Sequence, residues 1–213
     1  MSLTYYAPQE IETRSFEIIT EMIAEKKLNS TLDEETGHIV KRCIHTSADF
    51  DYAENLYFSK SAVRIIGEAF RHGCNLVTDT QMAKAGINKR ACEKNRIQRH
   101  CFISDDDVAE EARQKNETRA SIAVSKAATL GDHTVFVVGN APTALIKLHD
   151  LIVHHDFSPI AIIAVPVGFV NVVESKELIM NTDIPCIVAR GNKGGSNIAA
   201  AICNAILYAI TPN

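Results

Sequence analysis

The sequence has no excess of positive charge: 22 lysines and arginines stand against 26 aspartates and glutamates, for a net charge of −4. That balance gives no electrostatic case for nucleic acid or an anionic membrane surface, so an anionic ligand needs a local basic site. No two cysteines fall at C-x-x-C spacing. Cys43, Cys74, Cys92, Cys101, Cys186 and Cys203 lie far apart, several inside apolar runs where cysteine behaves as a small hydrophobe, which argues against structural zinc and for a reduced protein. No apolar run reaches the roughly 20 residues that span a bilayer. The longest apolar helix candidate, Ile198–Ile210, is shorter and contains Asn204. Met1–Gln9 has neither the positive start nor the apolar stretch of a secretory signal, so the expected location is cytoplasmic. There is no G-x-S-x-G nucleophile elbow and no G-x-G-x-x-G turn. Repeats, low-complexity runs and linkers are also missing, and residues 1–213 read as a single domain.

What is present is one device used three times near the C-terminus: an apolar run, a turn rich in glycine and polar residues, then a helical pattern. Val135–Val138 runs into Gly139–Thr143, Ile160–Val165 into Pro166–Asn171, and Ile184–Ala189 into Arg190–Asn197. Alternating strands and helices of this kind predict a three-layer α/β/α fold around a mainly parallel, flavodoxin-like sheet, in which such turns gather at the carboxyl ends of the strands. The first sixty residues read instead as helices. Ile11, Ser15, Ile18, Ile19, Met22 and Ile23 make one face at helical spacing, Asp33–Ile44 carries a second helix, and Ser59–His72 a third that stops at Gly73. Cys74–Thr78 is expected as the first strand and Ile97–Ile103 as another. A single long helix is expected from Asp105–Asp107 to Leu130, because negative charge favours a helix N-terminus.

Several residues stand out as chemistry. The Arg190–Ser196 turn fails the P-loop spacing, yet its glycines expose backbone N–H groups at a helix start and Arg190 and Lys193 add positive charge, so it suits an anion. Asn140 and Thr143 either face a ligand or cap the helix that follows, with Pro142 in its first turn. The apolar turn Pro166–Asn171 either lines a binding wall or a subunit interface or packs on itself, and Glu174-Ser175-Lys176 opens the next helix. His45 ends a helix beside hydroxyls and carboxylates able to orient its ring, and histidine moves protons near neutral pH. Ser15 interrupts an apolar stripe next to Arg14 and needs a hydrogen-bond partner. Arg119 is suited to carboxylate binding or to a solvated surface. His149, His154, His155 and Asp156 do not share one helical turn, so no metal site is assigned to them.

Taken in order along the chain, the segments Glu12-Thr13-Arg14-Ser15-Phe16, Ile44–Asp49, Asp79-Thr80-Gln81-Met82, Thr118-Arg119-Ala120-Ser121, Gly139–Leu145, Pro166–Lys176 and Arg190–Ser196 resemble the precorrin-8X (cobalt-precorrin-8) methylmutases. The resemblance covers nearly the whole chain. It implies migration of a methyl group from C11 to C12 of a tetrapyrrole-derived ring, with His45 as general acid and Ser15 as a substrate contact. Arg14, Arg119, Arg190, Lys193 and the N–H groups of the glycine turns would then hold the carboxylates of an anionic ring, with Asn140 and Thr143 as further substrate contacts. It further implies no dissociable cofactor, cobalt when present being carried by the substrate, and a homodimer with sites near the subunit interface. Two other readings remain beside it: a non-catalytic carrier that passes a corrin intermediate to other enzymes of the pathway, and a nucleotide-binding flavodoxin-like protein.

Overall fold

The structure, a computed structural model, describes residues 5–28 and 33–211; Met1–Thr4, part of the N-terminal segment discussed above, lie outside them. The elements run α1 (Pro8–Glu25), α2 (Gly37–Ser47), α3 (Tyr52–Asn55), β1 (Leu56–Phe58), α4 (Ala62–His72), β2 (Asn75–Thr78), α5 (Gln81–Gly86), α6 (Lys89–Lys94) and β3 (Gln98–His100). They continue with α7 (Asp106–Lys115), α8 (Arg119–Ala128), β4 (Thr134–Val138), α9 (Pro142–His154), β5 (Ala161–Ala164), α10 (Val172–Met180), β6 (Cys186–Ala189) and α11 (Ser196–Ile210).

The strands form one six-stranded sheet in the order β1-β6-β5-β4-β2-β3, parallel except that β1 runs antiparallel to β6 with Leu56 opposite Ala189. Every residue of β4, β5 and β6 is buried. Continuous apolar runs of this sort are what a parallel sheet needs when both of its faces are covered. One face carries Leu76, Val135, Val137, Ile163 and Ile187 and packs on α1, α2, α4, α5, α6 and α11. The other carries Val77, Phe136, Val138, Ile162 and Val188 beneath α8, α9 and α10, with α7 packed outside α8. The expected three-layer fold with N-terminal helices is what is found.

Two expectations give way. The first strand is β1, not the Cys74–Thr78 segment; three half-buried residues, Leu56–Phe58, are too short to show a period and pair only along the sheet edge. The single helix expected from Asp105 to Leu130 is two. Asn116 takes a left-handed conformation at φ 53° and closes α7, and the Thr118 hydroxyl accepts the Ser121 N–H at 3.2 Å to start α8. Asparagine tolerates that conformation and threonine caps well, so local turn chemistry outweighs the helical period. Arg119 is thereby moved from a helix interior to a helix start. The six cysteines are all buried and free. Among the described residues no helix is long and apolar enough to cross a membrane.

Phe136 is almost fully buried and meets Phe157 edge to face, with ring centroids 5.8 Å apart. Phe136→Ala is expected to lower unfolding free energy by about 3–5 kcal/mol, measured by urea denaturation, because a cavity opens at the centre of the sheet.

Candidate active site

At the carboxyl ends of β2, β4, β5 and β6 the chain leaves the sheet, and its backbone groups lose their ladder partners. After β2, Asp79 turns back into the protein and is 7% exposed. Its carboxylate accepts the backbone N–H groups of Gly139, Asn140 and Ala141, each at 2.8 Å, and so fixes the turn after β4. Burial pushes the Asp79 carboxyl above its usual range, against the pull of those three N–H bonds. Thr80 and Ser196 share a hydrogen bond of 2.7 Å, tying the β2 turn to the start of α11. Gly139 sits where a Cβ would come within 2.8 Å of the Ser196 Cα, so a side chain there would force the turn and helix apart.

The turn after β6 is fixed by an opposite charge. Lys176, on α10, is 1% exposed, and its ammonium donates to the carbonyls of Gly191 at 2.7 Å and Lys193 at 2.9 Å. With no carboxylate among these partners, burial lowers its pKa to about 8. Gly195 donates to the Val165 carbonyl at 2.8 Å, and a Cβ on Gly194 would run into that same carbonyl. On its outer side the turn is held by Lys193, whose ammonium reaches Asp49 at 2.6 Å and Asp51 at 2.5 Å; these bonds raise its pKa to about 12. Arg190 donates its backbone N–H to Asn55 and lays its guanidinium over the Tyr57 ring, 4.8 Å from the centroid, with the side chain otherwise exposed.

His45 stands near the end of α2, four residues before Asp49, and is exposed. Its Nδ1 lies 2.8 Å from the Ser15 hydroxyl of α1, and Phe16 meets the ring edge to face at 5.6 Å. Among the described residues Nε2 has no protein partner. One turn earlier on both helices Arg42 forms a two-pronged ion pair with Glu12, at 2.8 and 3.0 Å, and lies over the rings of Phe16 and Tyr208. These contacts lock α1 against α2 around the histidine. The sequence pointed to neighbouring hydroxyls and carboxylates as the groups orienting His45. Instead the ring is held by Ser15, thirty residues away, while Asp49 and Asp51 turn to Lys193.

The remaining candidates fall into separate groups. Arg14 is half-buried beside Ser15 and pairs with Glu17 at 2.9 Å. Thr143, in the first turn of α9, accepts the Thr118 hydroxyl at 2.8 Å, which brings the starts of α8 and α9 together. Arg119 lines a cleft of about 770 Å³ beside that junction, and Thr143 lines another of about 430 Å³; neither reaches His45. Asn140 is exposed on the turn that Asp79 holds. Between the groups, Val167, Phe169 and Val170 project from the turn after β5 at 47, 88 and 77% exposure, an apolar surface at the strand ends. The turn does not pack on itself. Among the described residues no group of three or more histidine, cysteine or acidic side chains is placed to hold a metal.

Asp79 and Lys176 escaped the sequence as functional supports. A signal exists for Lys176: with Val172, Ser175 and Ile179 it occupies the i, i+3, i+4, i+7 face of α10, the buried one. For Asp79 the one hint is its place directly after a buried strand, which many unremarkable aspartates share.

Comparison with known proteins finds relatives over nearly the whole chain. The profile of the family described as Precorrin-8X methylmutase (CbiC) matches residues 10–209. The cobalt-precorrin-8 methylmutase of Salmonella typhimurium is 44% identical over 206 residues, covering 94% of this chain and 95% of that protein. The cobalt-precorrin-8 methylmutase of Priestia megaterium is 42% identical over 199 residues, 93% and 87% of the two chains. A crystal structure of precorrin-8X methylmutase from Thermus thermophilus superposes with a TM-score of 0.85 at 32% identity, covering 93% of this chain and 94% of that one.

The buried ammonium makes stability depend on pH in a defined sense. The Lys176 pKa is lower folded, about 8, than its ordinary 10.5, so its full contribution is present above 10.5 and lost as pH falls through 8. Between those values the unfolded chain binds the extra proton, and the group adds up to about 1.4 kcal/mol of stability per pH unit. Lys176→Met is expected to remove that slope, read as the difference between wild-type and variant urea unfolding at pH 8 and pH 10. An unchanged slope would show that Lys176 is not desolvated in the folded protein.

Proposed function

This chain belongs to the precorrin-8X methylmutase family, isomerases of cobalamin biosynthesis, and from that premise we propose that it moves a methyl group from C11 to C12 of cobalt-precorrin-8 with His45 as the general acid. The cobalt form is favoured by the names of the two relatives at 44 and 42% identity. The metal arrives within the substrate, and the reaction needs no dissociable cofactor.

The observation that carries the assignment of the acid is the 2.8 Å contact between Ser15 Oγ and His45 Nδ1 on an exposed histidine whose Nε2 has no partner among the described residues. In the imidazolium both ring nitrogens carry protons: Nδ1–H donates to Ser15 and Nε2–H points to the ligand side. Giving up the Nε2 proton leaves Nδ1–H on the Ser15 hydroxyl, and Nε2 then accepts the proton back. Protonating the conjugated ring weakens the hold of C11 on its methyl group, which migrates to the adjacent C12 without any atom gained or lost. Selecting one shift among several requires the ring to be held in one pose.

That pose needs scattered cations for ring carboxylates and a broad apolar surface. Arg14, Arg119 and Arg190 supply the cations, Asn140, Thr143 and Ser15 the polar contacts, and Val167, Phe169 and Val170 the apolar wall. Lys193, already shared by two aspartates, borders the same edge. A homodimer with sites near the subunit boundary belongs to the same proposal. Its support is the resemblance and the exposure of this apolar turn.

His45→Ala is expected to lower kcat by about 10²–10⁴-fold, the usual worth of a general acid, followed through the absorption change as the ring is converted. Equal rates in wild type and variant would remove His45 from the chemistry. Tight binding of the product with no turnover by the wild type would favour a corrin carrier instead.

A further inference from the structure

We propose that Lys176 and Lys193 act in series as a clamp that positions His45, Lys176 fixing the turn after β6 from inside and Lys193 carrying that fixed position to the end of the helix that bears the acid. The inference rests on the reading of His45 as proton donor and assigns both lysines as positioning residues.

The turn cannot hold itself. Gly191, Gly194 and Gly195 all have positive φ, at 70, 158 and 133°, and glycine gives a chain little preference for any one conformation. Yet three successive carbonyls in it are occupied. Those of Gly191 and Lys193 take the Lys176 ammonium, and that of Asn192 takes the Gly168 N–H at 3.1 Å. Burying an ammonium with only neutral carbonyls for partners is costly, and among the described residues Lys176 is the one buried lysine, placed beneath the turn. A backbone carbonyl fixed at Lys193 fixes the root of that residue's side chain. Its other end then meets Asp49 and Asp51, which flank Phe50 just beyond α2.

The Asp49 N–H bonds the Ser47 hydroxyl, and the Ser47 hydroxyl donates to the Cys43 carbonyl, so the aspartate is joined to the last turn of α2. His45 lies in that turn. Ser15 sets the rotation of the ring; the clamp sets where the helix end stands against the strand-end turns that receive the substrate. A free surface lysine binding a ring carboxylate would need neither the paired aspartates nor the buried lysine behind it.

The test is a double-mutant cycle on Lys176→Met and Lys193→Met, read as kcat and KM on cobalt-precorrin-8, beside backbone hydrogen exchange over residues 47–52 and 190–195. Each single variant is expected to lower kcat by about ten- to a hundredfold with KM changed far less, as small misplacements of a catalytic group do. The double variant should lose no more than the worse single one. Exchange should rise in both segments in Lys176→Met. Losses that multiply, a change confined to KM, or exchange that rises only at 190–195 would each overturn the clamp. Should Lys176→Met not fold, the outer limb is read with Lys193→Met against Asp49→Asn/Asp51→Asn: equal, non-additive kcat losses support the proposal and unchanged kcat overturns it. Full activity in His45→Ala would sink the assignment of the acid alone, because hydrogen exchange reads the clamp without it.

Discussion

At the end of a parallel sheet, backbone N–H and C=O groups must find partners outside the ladder, and the whole functional edge of this protein depends on how that demand is met. Two buried charges of opposite sign meet it. The Asp79 carboxylate gathers three N–H groups of the turn after β4, and the Lys176 ammonium gathers two carbonyls of the turn after β6. Both are nearly removed from water, where bonds to a charged group are short and strong and where an unpaired charge would be intolerable. Turns built on glycine thus become rigid platforms.

That rigidity suits the proposed chemistry. A large flexible ring with many carboxylates has to be held in a single pose, and a surface whose turns shifted with each contact would not distinguish one methyl shift from another. The proposed acid comes from elsewhere. His45 belongs to the N-terminal helices, where Ser15 holds its ring and the Glu12–Arg42 pair, wedged between Phe16 and Tyr208, holds the helices. The strand-end turns and the His45 helices are separate constructions, and the contact of Lys193 with Asp49 and Asp51 spans the gap between them.

Much of this was legible in the chain. Buried strands such as Val135–Val138 and Ile184–Ala189 are continuous apolar runs, and the turns after them are punctuated by glycine and proline, so the sheet and its ligand edge follow directly. Gly73 as a helix stop held for the same reason. What the chain hid was of two kinds. Short-range exceptions, the left-handed Asn116 and the three-residue β1, lie below the length at which periodicity carries information. Long-range pairs, Ser15 with His45 and Lys193 with Asp49, join residues 30 and 144 positions apart, and nothing local to either partner announces them. The charge of Lys193 was visible; its partners were not. His45 likewise stood out by residue type, but its importance came from the family resemblance and its geometry from the fold.

The central claim is that the strand-end turns hold the ring while His45 Nε2 reaches its reacting edge. A crystal structure of the protein with the corrin product bound tests it most directly. The account predicts the ring lying over Val167, Phe169 and Val170, ring carboxylates on Arg119 and Arg190, and His45 Nε2 within hydrogen-bond reach of the macrocycle near C11 and C12. A ring seated away from the strand ends, or with C11 and C12 turned from His45, would contradict it.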